Sequence, residues 1–444
     1  MSKLEKYPAY KDSGVEWLGE IPEGWEVKKL KYLVNKILGG GTPESSNAKY
    51  WTDVLDNSYL WVSIADITKS DFIQDTKKYI TINGLRNCST QIVPPYSILY
   101  SIYASLGKVA YSDKELTTNQ AILSILFKDS YYYKFMFYYL KTLTQVAIQL
   151  SNSTTQDNIS LEILKNLICS IPPKQEQIKI ASFLDEKTEQ LDKAIQQKEQ
   201  LIELLKERRQ ILINDAVTKG LDKTVAMKDS GVEWIGEIPE GWEVKKLKYI
   251  IKHKLKYGAN ESGIEYQENL PRYVRITDFS NSGKLSEKNK FSLSWESGKD
   301  YLLKDGDILF ARSGATVGKT YQFKKSMSTE EFYSFAGYLI KAETNEQIIL
   351  SDFLYLYTNS DLFESWKEHI FNKATIENIG ADKYSELFIT IPSILEQKII
   401  LKQYNIDGAK LDKTINLQQQ QITKLKEYKT TLIDSVVTGK VRVS

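Results

Sequence analysis

Residues 11–32 read KDSGVEWLGEIPEGWEVKKLKY, and residues 228–249 read KDSGVEWIGEIPEGWEVKKLKY. The offset is 217, and of 22 positions only Leu18/Ile235 differ. Chance does not produce such a match, so the chain is internally duplicated. Working outward, a second set of matches lies at an offset of 220. It pairs Asn158-Ile159 with Asn378-Ile379, Ile171-Pro172 with Ile391-Pro392, and Glu176-Gln177 with Glu396-Gln397. Leu191-Asp192-Lys193 likewise matches Leu411-Asp412-Lys413. Between these anchors the copies diverge but keep a skeleton. Val62-Ser63-Ile64-Ala65-Asp66 aligns with Val274-Arg275-Ile276-Thr277-Asp278, Ile98-Leu99-Tyr100 with Ile308-Leu309-Phe310, and Gly107-Lys108 with Gly318-Lys319. Units of roughly 220 residues are too long for solenoid repeats and read as duplicated domains.

The middles read as mainly β with short helices. Residues 59–67, 97–103, 273–279 and 306–312 are apolar runs rich in β-branched and aromatic side chains, which predicts strands. Residues 134–150 and 349–369 read as helical. The unit ends differ. From Lys174 to about Val217 there is no Pro or Gly, and Gln, Glu, Lys and Leu dominate. Alternating steps of four and three from Leu184 pass through Thr188, Leu191, Ile195, Lys198, Ile202, Leu205, Arg209, Leu212 and Ala216. The second copy gives Tyr404, Gly408, Leu411, Ile415, Gln418, Ile422, Leu425, Lys429, Leu432 and Val436. Both stripes are coiled-coil seams with polar breaks at matching places: Thr188/Gly408, Lys198/Gln418 and Arg209/Lys429. Each helix would run about 40 residues, roughly 60 Å, and would find its partner in the other copy. Gly220 and Gly439 follow them as stop signals.

With 444 residues, 42% hydrophobic and 26% charged, the chain has enough material for two or more cored domains. A net charge of +2 does not announce a nucleic-acid binder, though a local basic face fits within it. It predicts modest DNA affinity alone and stronger binding with partners. No apolar run approaches 18 residues, and the start lacks a hydrophobic signal core, so neither a membrane span nor export is expected. Two cysteines, Cys88 and Cys169, fit buried thiols in a reducing cytoplasm.

Catalytic signatures are missing. His253 and His369 sit in no ligand-spaced cluster, so no metal site is expected. There is no nucleophile elbow and no dinucleotide fingerprint. The stretch 314–320, GATVGKT, approximates a phosphate loop but has three residues between its glycines where four are needed. Its counterpart Ala104-Ser105-Leu106-Gly107-Lys108-Val109 lacks the hydroxyl after the lysine. Two readings stand side by side: a turn presenting Lys319 or Lys108 to a DNA phosphate, and an ordinary solvated turn. Trp17, Trp25, Trp234 and Trp242 flank the Gly-Glu-Ile-Pro turns and read as packing anchors.

Two motif sets carry a family resemblance. One is Trp17/Gly19/Ile21-Pro22/Gly24-Trp25, repeated at Trp234/Gly236/Ile238-Pro239/Gly241-Trp242. The other is Asn158-Ile159, Ile171-Pro172-Pro173, Glu176-Gln177 and a long helix, repeated from Asn378. In this order and in duplicate, they make the chain resemble the specificity subunit of type I restriction–modification systems over essentially its whole length. The resemblance implies an α+β fold with a pseudo-twofold internal repeat. Two mixed α/β target-recognition domains, at 1–170 and 221–390, would be separated by antiparallel spacer helices at 171–220 and 391–444. Each domain would read one half of a bipartite, asymmetric site on double-stranded DNA. The chain would do no chemistry and bind no cofactor. Two methyltransferase subunits using S-adenosylmethionine, and two restriction subunits using ATP and Mg, would be its partners, in the cytoplasm and away from membranes.

Near-identical segments should meet identical partners and divergent ones different partners, so the repeated segments and the seam are expected to dock two methyltransferases. The seam residues in question are Leu184, Leu191, Ile195, Ile202, Leu205, Leu212, Leu411, Ile415, Ile422, Leu425 and Leu432. The middles are expected to read DNA through Thr42, Ser101, Tyr103, Ser105, Lys108 and Asn119 in the first copy. In the second the candidates are Arg275, Arg312, Ser313, Thr316 and Lys319, with arginine suited to guanine. Two departures from the family pattern bear on which sequence is read. Lys256-Tyr257-Gly258-Ala259-Asn260 lacks the Thr-Pro of Gly39-Gly40-Gly41-Thr42-Pro43, and Asn119-Gln120-Ala121 has no clean counterpart near Phe335-Ala336-Gly337. The alternatives are a self-contained DNA-modifying enzyme and a coiled-coil scaffold without a DNA role. Pro94-Pro95-Tyr96 follows Val93 and so lacks the polar residue of a methyltransferase motif.

Overall fold

A computed structural model describes residues 5–152, 158–280, 283–314, 317–371 and 378–443. The chain forms two compact units, Met1–Lys198 with Gln420–Ser444, and Glu199–Gln419. The long helices Lys174–Thr218 and Ile394–Val437 each give one end to each unit.

In the first unit the lead-in folds as an antiparallel hairpin, Tyr10–Asp12 with Glu20–Pro22. The chain then runs through Glu26–Lys29, which pairs antiparallel with Ile168–Ile171, the strand just before the long helix. The two repeated motif sets therefore meet in space. Trp25 is buried at their junction, edge-on to Tyr7 at 5.9 Å and to Phe135 at 6.5 Å. The Gln177 carboxamide donates to the Pro172 carbonyl at 2.9 Å and accepts from the Tyr132 N–H at 2.8 Å. That second bond satisfies an orphan donor at the start of helix Tyr133–Thr142.

The second unit repeats each feature. Met227–Asp229 pairs with Glu237–Pro239, and Glu243–Lys246 with Phe388–Ile391. Trp242 is buried beside Phe353 at 6.5 Å. Gln397 donates to the Pro392 carbonyl at 2.9 Å and accepts from the Leu350 N–H at 2.8 Å, ahead of helix Ser351–Tyr357. The packing role expected of Trp25 and Trp242 is what the structure shows, whereas Trp17 is exposed.

The diverged middles share one topology. The first unit has an antiparallel sheet in the order Val34–Gly39, Ile122–Phe127, Ile98–Ser101, Val109–Tyr111. Its second sheet runs Leu116–Thr118, Ser58–Val62, Tyr79–Thr81, Trp51–Thr52, with only the first pair parallel. The second unit gives Lys256–Tyr257, Leu339–Ala342, Ile308–Ala311, Thr320–Gln322. Its other sheet is Tyr333–Phe335, Arg272–Val274, Phe291–Ser292, Ile264–Glu265, again with the first pair parallel. The strands expected across 59–67 and 273–279 stop early, at Val62 and Val274. Asp66 and Asp278 take the backbone N–H of Ser63 and Arg275, at 2.8 and 2.7 Å, and so start helical turns there. The expected single helices are also broken, at Leu143 and between Tyr357 and Asp361.

Inside each unit the helix segments run antiparallel. In the first, Asp192 meets Lys429 at 2.7 Å and Lys198 meets Gln421 at 2.6 Å. Leu184, Leu191 and Ile195 are buried with Ile422 and Leu432, and Leu425 is half-buried. In the second, Arg209 meets Asp412 at 2.8 Å. There Ile202 is buried, and Leu205, Leu212, Leu411 and Ile415 are half-buried. The breaks at Lys198, Arg209 and Lys429 thus find polar partners on the facing helix. At the repeat offset, Lys429–Asp192 and Arg209–Asp412 are the same pair of positions, one in each unit. Such pairs set register more than stability. Both are partly exposed, so Asp192→Ala or Asp412→Ala should cost under about 1 kcal/mol. Thermal unfolding should show a shift of only a few degrees, and a larger one would mean that the pair carries the packing.

Candidate nucleic-acid interface

The ends of the two sheets meet at a corner in each unit, and the backbone builds that corner the same way twice. In the first unit Asn119 donates to the Val62 carbonyl at 3.0 Å, Gly41 to Thr118 at 2.8 Å, and Ile102 to Ala121 at 2.9 Å. In the second, Ala336 donates to Val274 at 2.9 Å, Ala259 to Phe335 at 2.9 Å, and Arg312 to Tyr338 at 2.9 Å. The Trp61 indole N–H reaches the Gly41 carbonyl at 3.0 Å, and the Tyr273 hydroxyl reaches the Ala259 carbonyl at 2.8 Å. Different aromatics thus make one bond. A Cβ on Gly40 would run into the Asn119 carbonyl, and one on Gly258 into the Ala336 carbonyl, so both crossings need glycine. This corrects one expectation. Residues 336–338 do occupy the place of Asn119-Gln120-Ala121, and the loop without Thr-Pro crosses there as its counterpart does.

The repeated Asn-Ile motif pins the loop that follows the corner. Ile159 donates to the Ile102 carbonyl at 3.1 Å, and Ile379 to the Arg312 carbonyl at 2.9 Å. Each loop then returns through equivalent bonds, Ser101 N–H to Lys108 at 2.9 Å and Ala311 N–H to Lys319 at 2.8 Å. Gly107 and Gly318 spend their N–H groups on the Ser101 and Ala311 carbonyls, at 3.0 and 2.9 Å. A phosphate loop needs such groups free, so among the described residues these turns offer no nucleotide cradle. Ala104 and Ser105 both take left-handed backbone, φ 45° and 46°, which costs of order 1 kcal/mol each.

The candidate residues separate by what holds them. Tyr103, Ser105 and Lys108 are exposed on the first loop. Thr42 is exposed and bonded to Gln120. Asn119 is half-buried, its side-chain oxygen accepting from the Ala121 N–H at 3.2 Å. Ser101 is a correction. It is fully buried, donating to the Ser105 carbonyl at 2.6 Å and accepting from the Lys108 N–H at 2.8 Å, so it builds the loop and does not face outward.

In the second unit Arg275 is half-buried and engaged within its own unit. Its guanidinium is held by Asp278 at 3.1 Å and by the Asn289 carbonyl at 2.9 Å, and it lies over the Phe291 ring at 4.3 Å. Lys319 reaches the Phe279 carbonyl at 3.1 Å. Ser313 is half-buried, bridged through its backbone to Asn378. Thr316 lies outside the described residues. Arg312 is half-buried with its guanidinium over the Tyr257 ring at 5.2 Å. Tyr257 was missed in the sequence, because nothing local signals that a strand residue will support a loop arginine 55 positions on.

Among the described residues no group of three or more His, Cys, Asp or Glu could hold a metal ion, and no helix is long and apolar enough to cross a membrane. Cys169 is buried, Cys88 is half-buried, and both are free.

A family model for the type I restriction modification DNA specificity domain matches residues 22–206 and again 239–427. The chain is 25% identical to the type I restriction enzyme MjaIX specificity subunit of Methanocaldococcus jannaschii, over 96% of this chain and 95% of that one. It is 23% identical to the EcoBI specificity subunit of Escherichia coli, over 70% and 66% of the two chains. Among solved structures it resembles the HsdS subunit from Thermoanaerobacter tengcongensis, with TM-score 0.53, 14% identity, and 95% and 98% of the chains covered. A chain from a structure of type I R-M complex assembly and conformational transition gives TM-score 0.71 at 15% identity, covering 94% and 98%. At these identities the structural likeness is one of fold.

Proposed function

The chain belongs to the type I restriction modification DNA specificity family, and we propose that it is the subunit that tells such a system which DNA sequence to act on. Each unit reads one half of a bipartite, asymmetric site in double-stranded DNA, and the chain itself catalyses nothing. One observation carries this reading. The same backbone corner is built twice, and different side chains stand on it. Sequence is read by side chains at base edges, while a fixed backbone frame supplies register. Lys108 and Lys319 follow equivalent loop turns, and in this reading exposed Lys108 holds a phosphate.

The partners act where the two copies are alike. Two methyltransferase subunits supply S-adenosylmethionine chemistry, and two restriction subunits add ATP- and Mg-dependent cleavage. Tyr32 and Tyr249, 58% and 64% exposed, end the near-identical lead-ins. The Lys31 and Lys248 ammonium groups lie over their rings at 5.3 and 5.1 Å. Exposed tyrosine in the same setting twice suits a partner that docks twice. Tyr32→Ala and Tyr249→Ala should each weaken one methyltransferase contact by about 1–2 kcal/mol. Native mass spectrometry should then show complexes with one methyltransferase missing; unchanged stoichiometry and affinity would remove these residues from the docking surface.

The decisive experiment combines the chain with its methyltransferase and sequences the methylome. One bipartite motif with unlike halves is expected. Methylation by the chain alone would make it an enzyme. Equal binding of all DNA by the complex would make it a scaffold.

A further inference from the structure

The variable middle of the second unit holds three arginines, Arg272, Arg275 and Arg312. Two are consumed internally. Arg272 is buried and paired with Glu287 at 2.9 Å and Glu330 at 3.3 Å. Arg275 is spent on Asp278 and Asn289. Arg312 differs: among the described residues its guanidinium has a ring beneath it and no hydrogen-bond acceptor. Its backbone is held on both sides, by the Tyr338 carbonyl and the Ile379 N–H.

The ring beneath it is held as well. Tyr257 pairs in the sheet with Ile340, and its hydroxyl accepts the Ala381 N–H at 2.9 Å at the start of helix Ala381–Ser385. Anchored at both ends, the ring offers a fixed face. A guanidinium held over that face by cation–π attraction keeps its N–H fork unspent. Such a fork matches the O6 and N7 acceptors on the major-groove edge of guanine.

We propose that Arg312 reads a guanine in the half-site served by the second unit, and that Tyr257 is the positioning residue that orients it. This rests on the reading of the chain as a DNA-specificity subunit. The first unit cannot make the same contact. The corner bonds place Ile102 where Arg312 stands, and the glycine crossing places Gly39 where Tyr257 stands. The guanine therefore belongs to one half-site only.

The test uses the assembled methyltransferase complex, with a library of DNA sites and methylome sequencing as readouts. Arg312→Ala should cut discrimination at one G·C pair by roughly one to two orders of magnitude and leave the other half-site strict. Arg312→Lys should keep the affinity but lose the discrimination, because a point charge lacks the fork. Tyr257→Leu should relax the same position, and Tyr257→Phe, which keeps the ring, should relax it less. An unchanged motif in Arg312→Ala overturns the proposal, as does a uniform loss across all sequences, which would mark a phosphate contact. A Tyr257→Leu chain that alters both half-sites, or none, overturns the positioning role. A wild-type complex that yields no motif defeats the functional reading itself, and so is told apart from failure of the Arg312 assignment.

Discussion

A chain in which residues 34–157 are replaced by residues 251–377 is expected to direct methylation to a site that carries the second half-site twice. The junctions are equivalent in structure. Leu33 and Ile250 are both fully buried, and each donates to the residue three before it, Leu30 and Leu247, at 2.8 and 3.1 Å. The other junction is the repeated Asn-Ile motif, which makes the same bond to the loop in both units. The frame that receives the segment is also alike: Ile21, Trp25 and Leu30 are buried as Ile238, Trp242 and Leu247 are. Gln177 stands ready to accept the incoming Leu350 N–H as Gln397 does. Mismatches remain. Asp185 loses the Tyr138 hydroxyl at 2.8 Å together with its Lys134 partner, and Leu184 stands where the second unit has Tyr404. They should cost about 1–3 kcal/mol in packing, a loss of stability and not of motif. Methylome sequencing decides. A hybrid that folds and assembles but keeps the first half-site would place sequence reading outside the variable middles.

The duplication and the long helices were legible because their signals are local and repeated. Identical strings need no tertiary context, and a seam declares itself by spacing. The polar breaks at Lys198, Arg209 and Lys429 were legible as breaks, though not as contacts, since Asp192, Gln421 and Asp412 are distant in sequence. The corner was not legible at all. Its equivalence lies in backbone N–H and C=O groups that every residue carries, so Ala336 can stand for Asn119 without resembling it. Trp61 and Tyr273 make one bond with unlike side chains, and no alignment of residue types would match them. Strand lengths were overestimated at Ile64 and Ile276 because apolar runs carry no mark of where a capping carboxylate will turn the chain. The burial of Ser101 and the internal contacts of Arg275 were not legible, for a common reason. A polar side chain at or just after the end of a strand looks free until its partner is located, and here the partners are backbone groups and a carboxylate that spacing alone does not announce.

Arg272 shows how far that reasoning reaches, and it carries the largest expected effect on stability. Its side chain is 2% exposed and that of Glu330 is 3% exposed. Arg272 meets Glu330 at 3.3 Å, Lys290 meets it at 2.8 Å, and the Thr329 and Tyr333 hydroxyls donate to it. Burial pushes the Glu330 carboxyl pKa up. The hydrogen bonds from Lys290, Thr329 and Tyr333, with the Arg272 charge, outweigh that and hold it at about 2. Arg272→Ala leaves a buried carboxylate short of a cation and should cost about 3–5 kcal/mol. In a unit of this size that lowers the melting temperature by roughly 6–20 °C. The loss should fall on the second unit, because Arg272 lies on the strand whose parallel pairing with Tyr333–Phe335 leads into the corner. Arg272→Met with Glu330→Leu should recover much of it, since removing both charges leaves neither one stranded. The pH dependence has a definite sign. The folded pKa lies below the ordinary carboxylate value of about 4.3. The Glu330 contribution is therefore complete above that value and is lost as pH falls through it toward about 2. Glu330→Gln should flatten this acid limb in thermal melts of the second unit. A limb of unchanged slope would assign it to other carboxylates, and an Arg272→Ala loss under about 1 kcal/mol would place the pair among surface contacts.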